Sequence, residues 1–157
     1  MIAVLLCSCA SVKNYSLKWR KAGQTQLDPP EVVWRNYACQ NEDLPLVRIE
    51  RNELMPQRFE AGKEGVCNHR LVYGLCSQDD ADEIVGQLYT RFYYRGRNVG
   101  SVVNEDYTLK PGRWIADLFI TIPEKAKPGV YTLEVEFESP DTGFKVNNTF
   151  YIEQQKE

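Results

Sequence analysis

Residues 130–139 read VYTLEVEFES. Tyr131, Leu133, Val135 and Phe137 fall on one parity, and Thr132, Glu134, Glu136 and Glu138 on the other. Successive side chains of a strand point to opposite faces, so this alternation describes a strand with one face in a core and the other in water. A helix would scatter the two sets around its circumference, because its neighbours recur every three and four residues.

The same signal repeats on both sides of that run. Stretches 44–50, 66–76, 84–96, 101–109, 113–123, 130–139 and 144–153 alternate in polarity and are separated by turn residues such as KPG, EKAKPG and PDTG. The fifth run places Trp114, Ala116, Leu118, Ile120 and Ile122 on one face; the seventh does so with Phe144, Val146, Phe150 and Ile152. Short strands at regular spacing, with no long stretch of helical period, predict an all-β fold, a seven-stranded antiparallel sandwich or barrel over residues 46–157, preceded by an irregular N-terminal extension. A chain of 157 residues, 43% hydrophobic and 26% charged, is long enough to bury such a core.

Three stretches, ELMPQRFEAGKE at 53–64, LKPGRW at 109–114 and IPEKAKPGVYTLEVEFES at 122–139, resemble immunoglobulin-like or fibronectin type III-like domains of bacterial envelope proteins. The resemblance covers about residues 46–153. It implies an immunoglobulin-like sandwich of the seven strands, in which the third and sixth are neighbours in one sheet and Tyr131 occupies a tyrosine-corner-like place. The buried tryptophan of the third strand and the inter-sheet cysteine pair of antibody domains have no counterpart here.

The chain opens MIAVLLCSCASVK, and Leu6-Cys7-Ser8-Cys9 resembles a bacterial lipobox. Cys9 fits as the lipidation site because a small residue, Ser8, precedes it; bulky Leu6 disfavours Cys7. That resemblance implies a signal remnant over 1–9, a tether and extension over 10–45, and a membrane-anchored protein of the bacterial cell envelope facing the periplasm or the cell surface. The basic n-region and longer apolar stretch of a secretory signal are missing, and the competing reading is a frayed apolar terminus. The segment is too short to span a bilayer.

Three further cysteines, Cys39, Cys67 and Cys76, are disulfide candidates. On one extended strand Cys67 and Cys76 lie about 30 Å apart, whereas a disulfide requires Cα atoms within about 7 Å. Cys39 is therefore expected to bridge to one of them, the alternative being three buried thiols. DPPEVVWRNYACQ, at 28–40, has two readings. Asp28, Pro29 and Glu31 suit a helix start, while Val32, Val33, Trp34 and Tyr37 suit a strand. Extended structure is expected, with Trp34 as a docking anchor.

Chemistry is sparse. Tyr89, Arg91, Tyr93 and Arg95 form an alternating stripe in the third run, opposite inward Ile84, Leu88 and Phe92. Paired with Glu134, Glu136 and Glu138 they describe a charged sheet exterior; with Tyr151 they are also the candidates for binding a partner. Asp79, Asp80, Asp82 and Glu83 lack the spacing of a calcium loop and read as a solvated loop. His69, the single histidine, reads as structural, because no zinc spacing or catalytic dyad accompanies it. No nucleotide-binding or nucleophile-elbow motif occurs, and the sequons at Asn14 and Asn147 read as chance matches. A net charge of -3 argues against nucleic acid. The expectation is a lipid-anchored, non-catalytic binding or structural module that pairs with another envelope protein, with neither cofactor nor metal. The alternative is a carbohydrate-binding module using Tyr89, Tyr93 and Tyr151.

Overall fold

A computed structural model describes residues 25–154. The lipidation candidate Cys9, with residues 1–9, the tether up to residue 24 and Asn14, lies outside the described residues. The elements are β1 (Thr25–Asp28), α1 (Pro30–Asn36), a 3₁₀ turn (Cys39–Asn41), β2 (Leu46–Met55), β3 (Arg58–Glu60), β4 (Gly65–Cys76), β5 (Ile84–Tyr94), β6 (Arg97–Leu109), β7 (Gly112–Ile122), β8 (Gly129–Glu138) and β9 (Gly143–Glu153). One sheet runs β1-β7-β4-β2 and the other β3-β9-β8-β5-β6. Neighbours are antiparallel except β3 and β9, which run parallel.

The two sheets form a β-sandwich held by the inward parity of each strand. On β8, Tyr131, Leu133, Val135 and Phe137 are buried, and they meet Leu71, Leu118 and Ile120 in the same core. Fully burying a side chain of this size is worth about 1.5–3 kcal/mol, so these positions dominate the stability of the fold. Aromatic rings extend the core along the five-stranded sheet. Tyr131 stacks on Phe150 at 5.1 Å between ring centres, and Phe150 meets the ring of Phe59 edge-on at 6.0 Å.

Nine strands replace the expected seven among the described residues. The two additions, β1 and β3, are four and three residues long, too short to display a period. After β2 the chain crosses from one sheet to the other, so that β3 can lie beside β9.

The extension is corrected as well. From Thr25 onward it belongs to the sandwich, because β1 pairs with β7. Residues 30–36 are helical where extended structure was expected. Pro30 sits in the first turn, where its missing N–H costs nothing and its fixed φ suits a helix. Pro29, not Asp28, is the N-cap, and no side chain caps the helix. What holds this short helix is tertiary contact. Val33, Cys39 and Cys76 form a second buried cluster, with Trp34, Tyr37, Leu44 and Leu46 packed against it. Cys39 is bridged to Cys76, with Cα atoms 6.0 Å apart, and Cys67 is a buried free thiol that burial pushes up to about 12.

A polar cluster fastens the same region. Arg113 Nε donates to Glu50 at 2.6 Å and its terminal nitrogen pairs with Asp28 at 3.1 Å, while the Tyr37 hydroxyl donates to Glu50. Tyr37 lies directly over β4 at Gly74, where a Cβ would stand 2.2 Å from the phenol oxygen. Any side chain at this position would have to displace the Tyr37 ring.

A second polar tie joins the two sheets. Asn52 of β2 donates its amide to the Asn147 carbonyl of β9 at 3.0 Å, which makes its side-chain oxygen an acceptor. That oxygen receives the Asn148 amide and lies 2.7 Å from Nε2 of fully buried His69. The imidazole therefore carries its proton on Nε2. His69 is a structural donor in a satisfied network.

Replacing Cys39 and Cys76 together by serine should lower the unfolding free energy by about 2–4 kcal/mol in a urea titration. Non-reducing peptide mapping of the native chain should recover the Cys39–Cys76 link. Cys67 should react with a thiol reagent only as the chain unfolds.

Candidate functional site

The outward face of the five-stranded sheet gathers most of the candidate residues, and strand register explains how. Tyr89, Arg91 and Tyr93 of β5 stand opposite Glu136, Glu134 and Thr132 of β8. Glu136 and Glu134 stand opposite Lys145 and Asn147 of β9, and Val130 opposite Tyr151. Tyr151 in turn faces Arg58 of β3.

Arg91 is the hub. Its guanidinium binds Glu134 at 2.8 Å and also Glu136, and its carbon lies 4.4 Å from the centre of the Tyr89 ring. Lys145 closes the cluster from the other side, 3.0 Å from Glu136 and 3.7 Å from Glu134. The hydrogen bond from Arg91, followed by the one from Lys145, holds the Glu136 carboxyl below the usual carboxylate range against the opposing pull of desolvation. The hydrogen bond to Glu136, and after it the one to Glu134, raises the Arg91 guanidinium above its ordinary value against desolvation. The two glutamates are only 15% and 17% exposed, so this is a half-buried, mutually neutralised layer rather than a loose surface pair.

The other stripe residues fare differently. The Tyr89 hydroxyl donates to Gln87. Tyr93 reaches Glu134 only at 3.4 Å. Arg95 does not continue the stripe: β5 ends at Tyr94, and Arg95 and Gly96 take φ of 51° and 75° in the turn to β6. Two consecutive left-handed residues give the tight hairpin turn that matches strand twist, and Gly96 supplies one of them without strain. The Arg95 guanidinium folds back to 5.2 Å from the Tyr94 ring centre. Tyr151 lies under Arg58, 5.0 Å from its guanidinium, and is 37% exposed. Tyr89, Tyr93 and Tyr151 thus share one face but sit in separate surroundings.

Exposed apolar side chains share the same face. Val85, Val103, Val130 and Tyr151 are the large ones there, while Met55, Val66 and Phe119 lie on the outward face of the opposite sheet. A groove of about 520 Å³ opens beside the β5–β6 turn, lined by Tyr93, Arg95, Val130, Thr132, Glu134 and Asn147. Of these, Val130, Thr132 and Asn147 were not singled out from sequence as members of a site, nor was Lys145. Their outward parity was readable, but only the register of β8 against β5 and β9 places them side by side.

Elsewhere, the 77–83 loop closes on itself: the Ser77 hydroxyl donates to the Asp79 carbonyl at 2.5 Å, and an Asp79 carboxylate oxygen receives the Ala81 N–H at 3.0 Å. Among the described residues no three His, Cys, Asp or Glu side chains converge to hold a metal ion. No described helix is long and apolar enough to cross a membrane.

No protein family matches the chain, and no curated protein does. Among solved structures it is similar to a β-glucuronidase of Parabacteroides merdae, at 20% identity and a TM-score of 0.47 over 68% of this chain. It is also similar to the alkylpurine DNA glycosylase of Pseudomonas fluorescens, at 13% identity and 0.40 over 68%, and to the sporulation control protein of Bacillus subtilis, at 12% and 0.39 over 68%. The chain spans 13%, 30% and 49% of those three proteins. None of their activities is assigned to it.

Arg91→Gln should destabilise the domain by about 1–3 kcal/mol, because it leaves two half-buried carboxylates short of a charged partner. The pH dependence follows from the lowered Glu136 value. Its contribution to stability is present above the range of an unfolded glutamate and is lost as pH falls through the depressed folded value. Arg91→Gln should move that acid loss to higher pH in a circular-dichroism titration.

Proposed function

We propose that this chain is a lipid-anchored protein of the bacterial envelope whose immunoglobulin-like sandwich is a non-catalytic module for pairing with another envelope protein. Two features support the immunoglobulin-like class. The order β2-β4-β7 facing β9-β8-β5-β6, with β3 carrying the first strand across to run beside the last, matches the connections of that sandwich. The Tyr131 hydroxyl donates to the Lys127 carbonyl four residues upstream at 2.9 Å, the bond that defines a tyrosine corner.

The observation that carries the binding role is the outward face of β3-β9-β8-β5-β6. It joins a pre-ordered Arg91–Glu134–Glu136–Lys145 centre to exposed Val85, Val103, Val130 and Tyr151. Tyrosine and arginine are favoured interface anchors, and a face already held by its own ion pairs loses little side-chain freedom on binding. Anchoring rests on Cys9 and its likeness to a lipobox; stable attachment through acyl chains requires more than one of them.

Two measurements test the reading. Cys9→Ser should shift the protein from the membrane to the soluble periplasmic fraction, and unchanged membrane association would defeat the anchor. A photo-crosslinker placed at Val103 or Tyr151 in native membranes should capture one discrete envelope protein. Capture from Phe119 alone, on the other sheet, would show the proposed binding face to be wrong.

A further inference from the structure

The groove beside the β5–β6 turn is chemically unlike the rest of its face. Its acidic member is already committed, because Glu134 is held by Arg91 and Lys145. Its other polar groups are not. The Tyr93 hydroxyl meets Glu134 at 3.4 Å, longer than an ordinary O–H···O bond. The Thr132 hydroxyl, the Asn147 amide and the Arg95 guanidinium make no hydrogen bond or ion pair with another described residue. A hydroxyl, an amide and the Arg95 side chain therefore line about 520 Å³, with Val130, 53% exposed, as the apolar patch between them.

We propose that this groove binds a short acidic saccharide. A sugar ring presents C–H faces as well as a dense set of hydroxyls. The former suit Val130 and the Tyr93 ring; the latter suit the Thr132 hydroxyl and the two-sided donor and acceptor capacity of Asn147. Arg95 selects an anionic ring, because a guanidinium binds a carboxylate through two parallel N–H donors. Arg91 and Lys145 offset Glu134 in part, which lowers the repulsion that carboxylate would meet. A protein partner centred here would want a larger apolar core than Val130 provides. A purely apolar ligand would leave three polar groups desolvated and unpaired. The groove lies on the face already proposed for binding, so the inference rests on that reading and names a ligand class for one part of it. Of the tyrosines first nominated for sugar recognition, Tyr93 alone lines this groove; Tyr89 and Tyr151 do not.

The test uses the full chain carrying Cys9→Ser, first on an array of uronate, sialate, phosphosugar and neutral oligosaccharides. Titration calorimetry then follows with the best acidic probe and its methyl-esterified form. The acidic probe should bind at least tenfold more tightly than the ester. Arg95→Asn, a residue that tolerates the left-handed backbone at this turn, should abolish that difference while leaving weak binding of both. Asn147→Ala should weaken both several-fold, and circular dichroism confirms that each variant is folded. Absence of binding to every acidic member of the array overturns the proposal, as does discrimination that survives Arg95→Asn. Capture of a protein at Val103 or Tyr151 with no saccharide binding overturns the saccharide while leaving the wider binding face standing.

Discussion

Every strand of this protein has to hide one side and wet the other, and the sandwich is the arrangement in which both sheets do so at once. The constraint is most complete at β8, where Leu133, Val135 and Phe137 are at most 1% exposed while Glu134 and Glu136 alternate with them on the opposite face. Shifting that strand by one residue would place glutamates in the core, at a cost far larger than any surface interaction could return. The register of β5 and β9 against β8 is thus set from the inside. The outside inherits it.

That inheritance is what makes the outer face specific. Once β8 is fixed, Arg91 must stand opposite Glu134, and Lys145 opposite Glu136. The ion-pair layer is a consequence of core register, and it orders the surroundings in which Tyr93, Thr132 and Asn147 stay uncommitted. Function on this face, if it is to be precise, draws its rigidity from the packing beneath it.

The side of the sandwich where edge strand β2 faces β9 is closed by a different kind of interaction. Asn52 reaches from β2 to His69 on β4 and to Asn147 and Asn148 on β9, so one amide side chain stitches the two sheets with polar bonds. Against β4 and β7 the Cys39–Cys76 bridge, the small cluster around Val33 and the Tyr37–Glu50–Arg113 contacts pin a helix of seven residues that would not persist alone.

Alternation alone determined the all-β class and the inward residues of β5, β7, β8 and β9, because a period of two is a local property that each strand carries in full; the division into two sheets is decided by the tertiary pairing. It also bounded the disulfide, since two cysteines on one extended strand cannot meet. The same logic was blind to β1 and β3, which are too short to show a period, and to α1, whose valines and tryptophan favour a strand until a buried cluster and a bridge hold them in a helix. Arg95 looked like part of the Tyr/Arg stripe because parity runs on through a turn on paper, whereas the backbone reverses at Arg95 and Gly96. The groove was invisible for a related reason. Tyr93 lies on a strand far along the chain from those of Thr132 and Asn147, and adjacency across a sheet is decided by register and topology, which only the folded structure specifies.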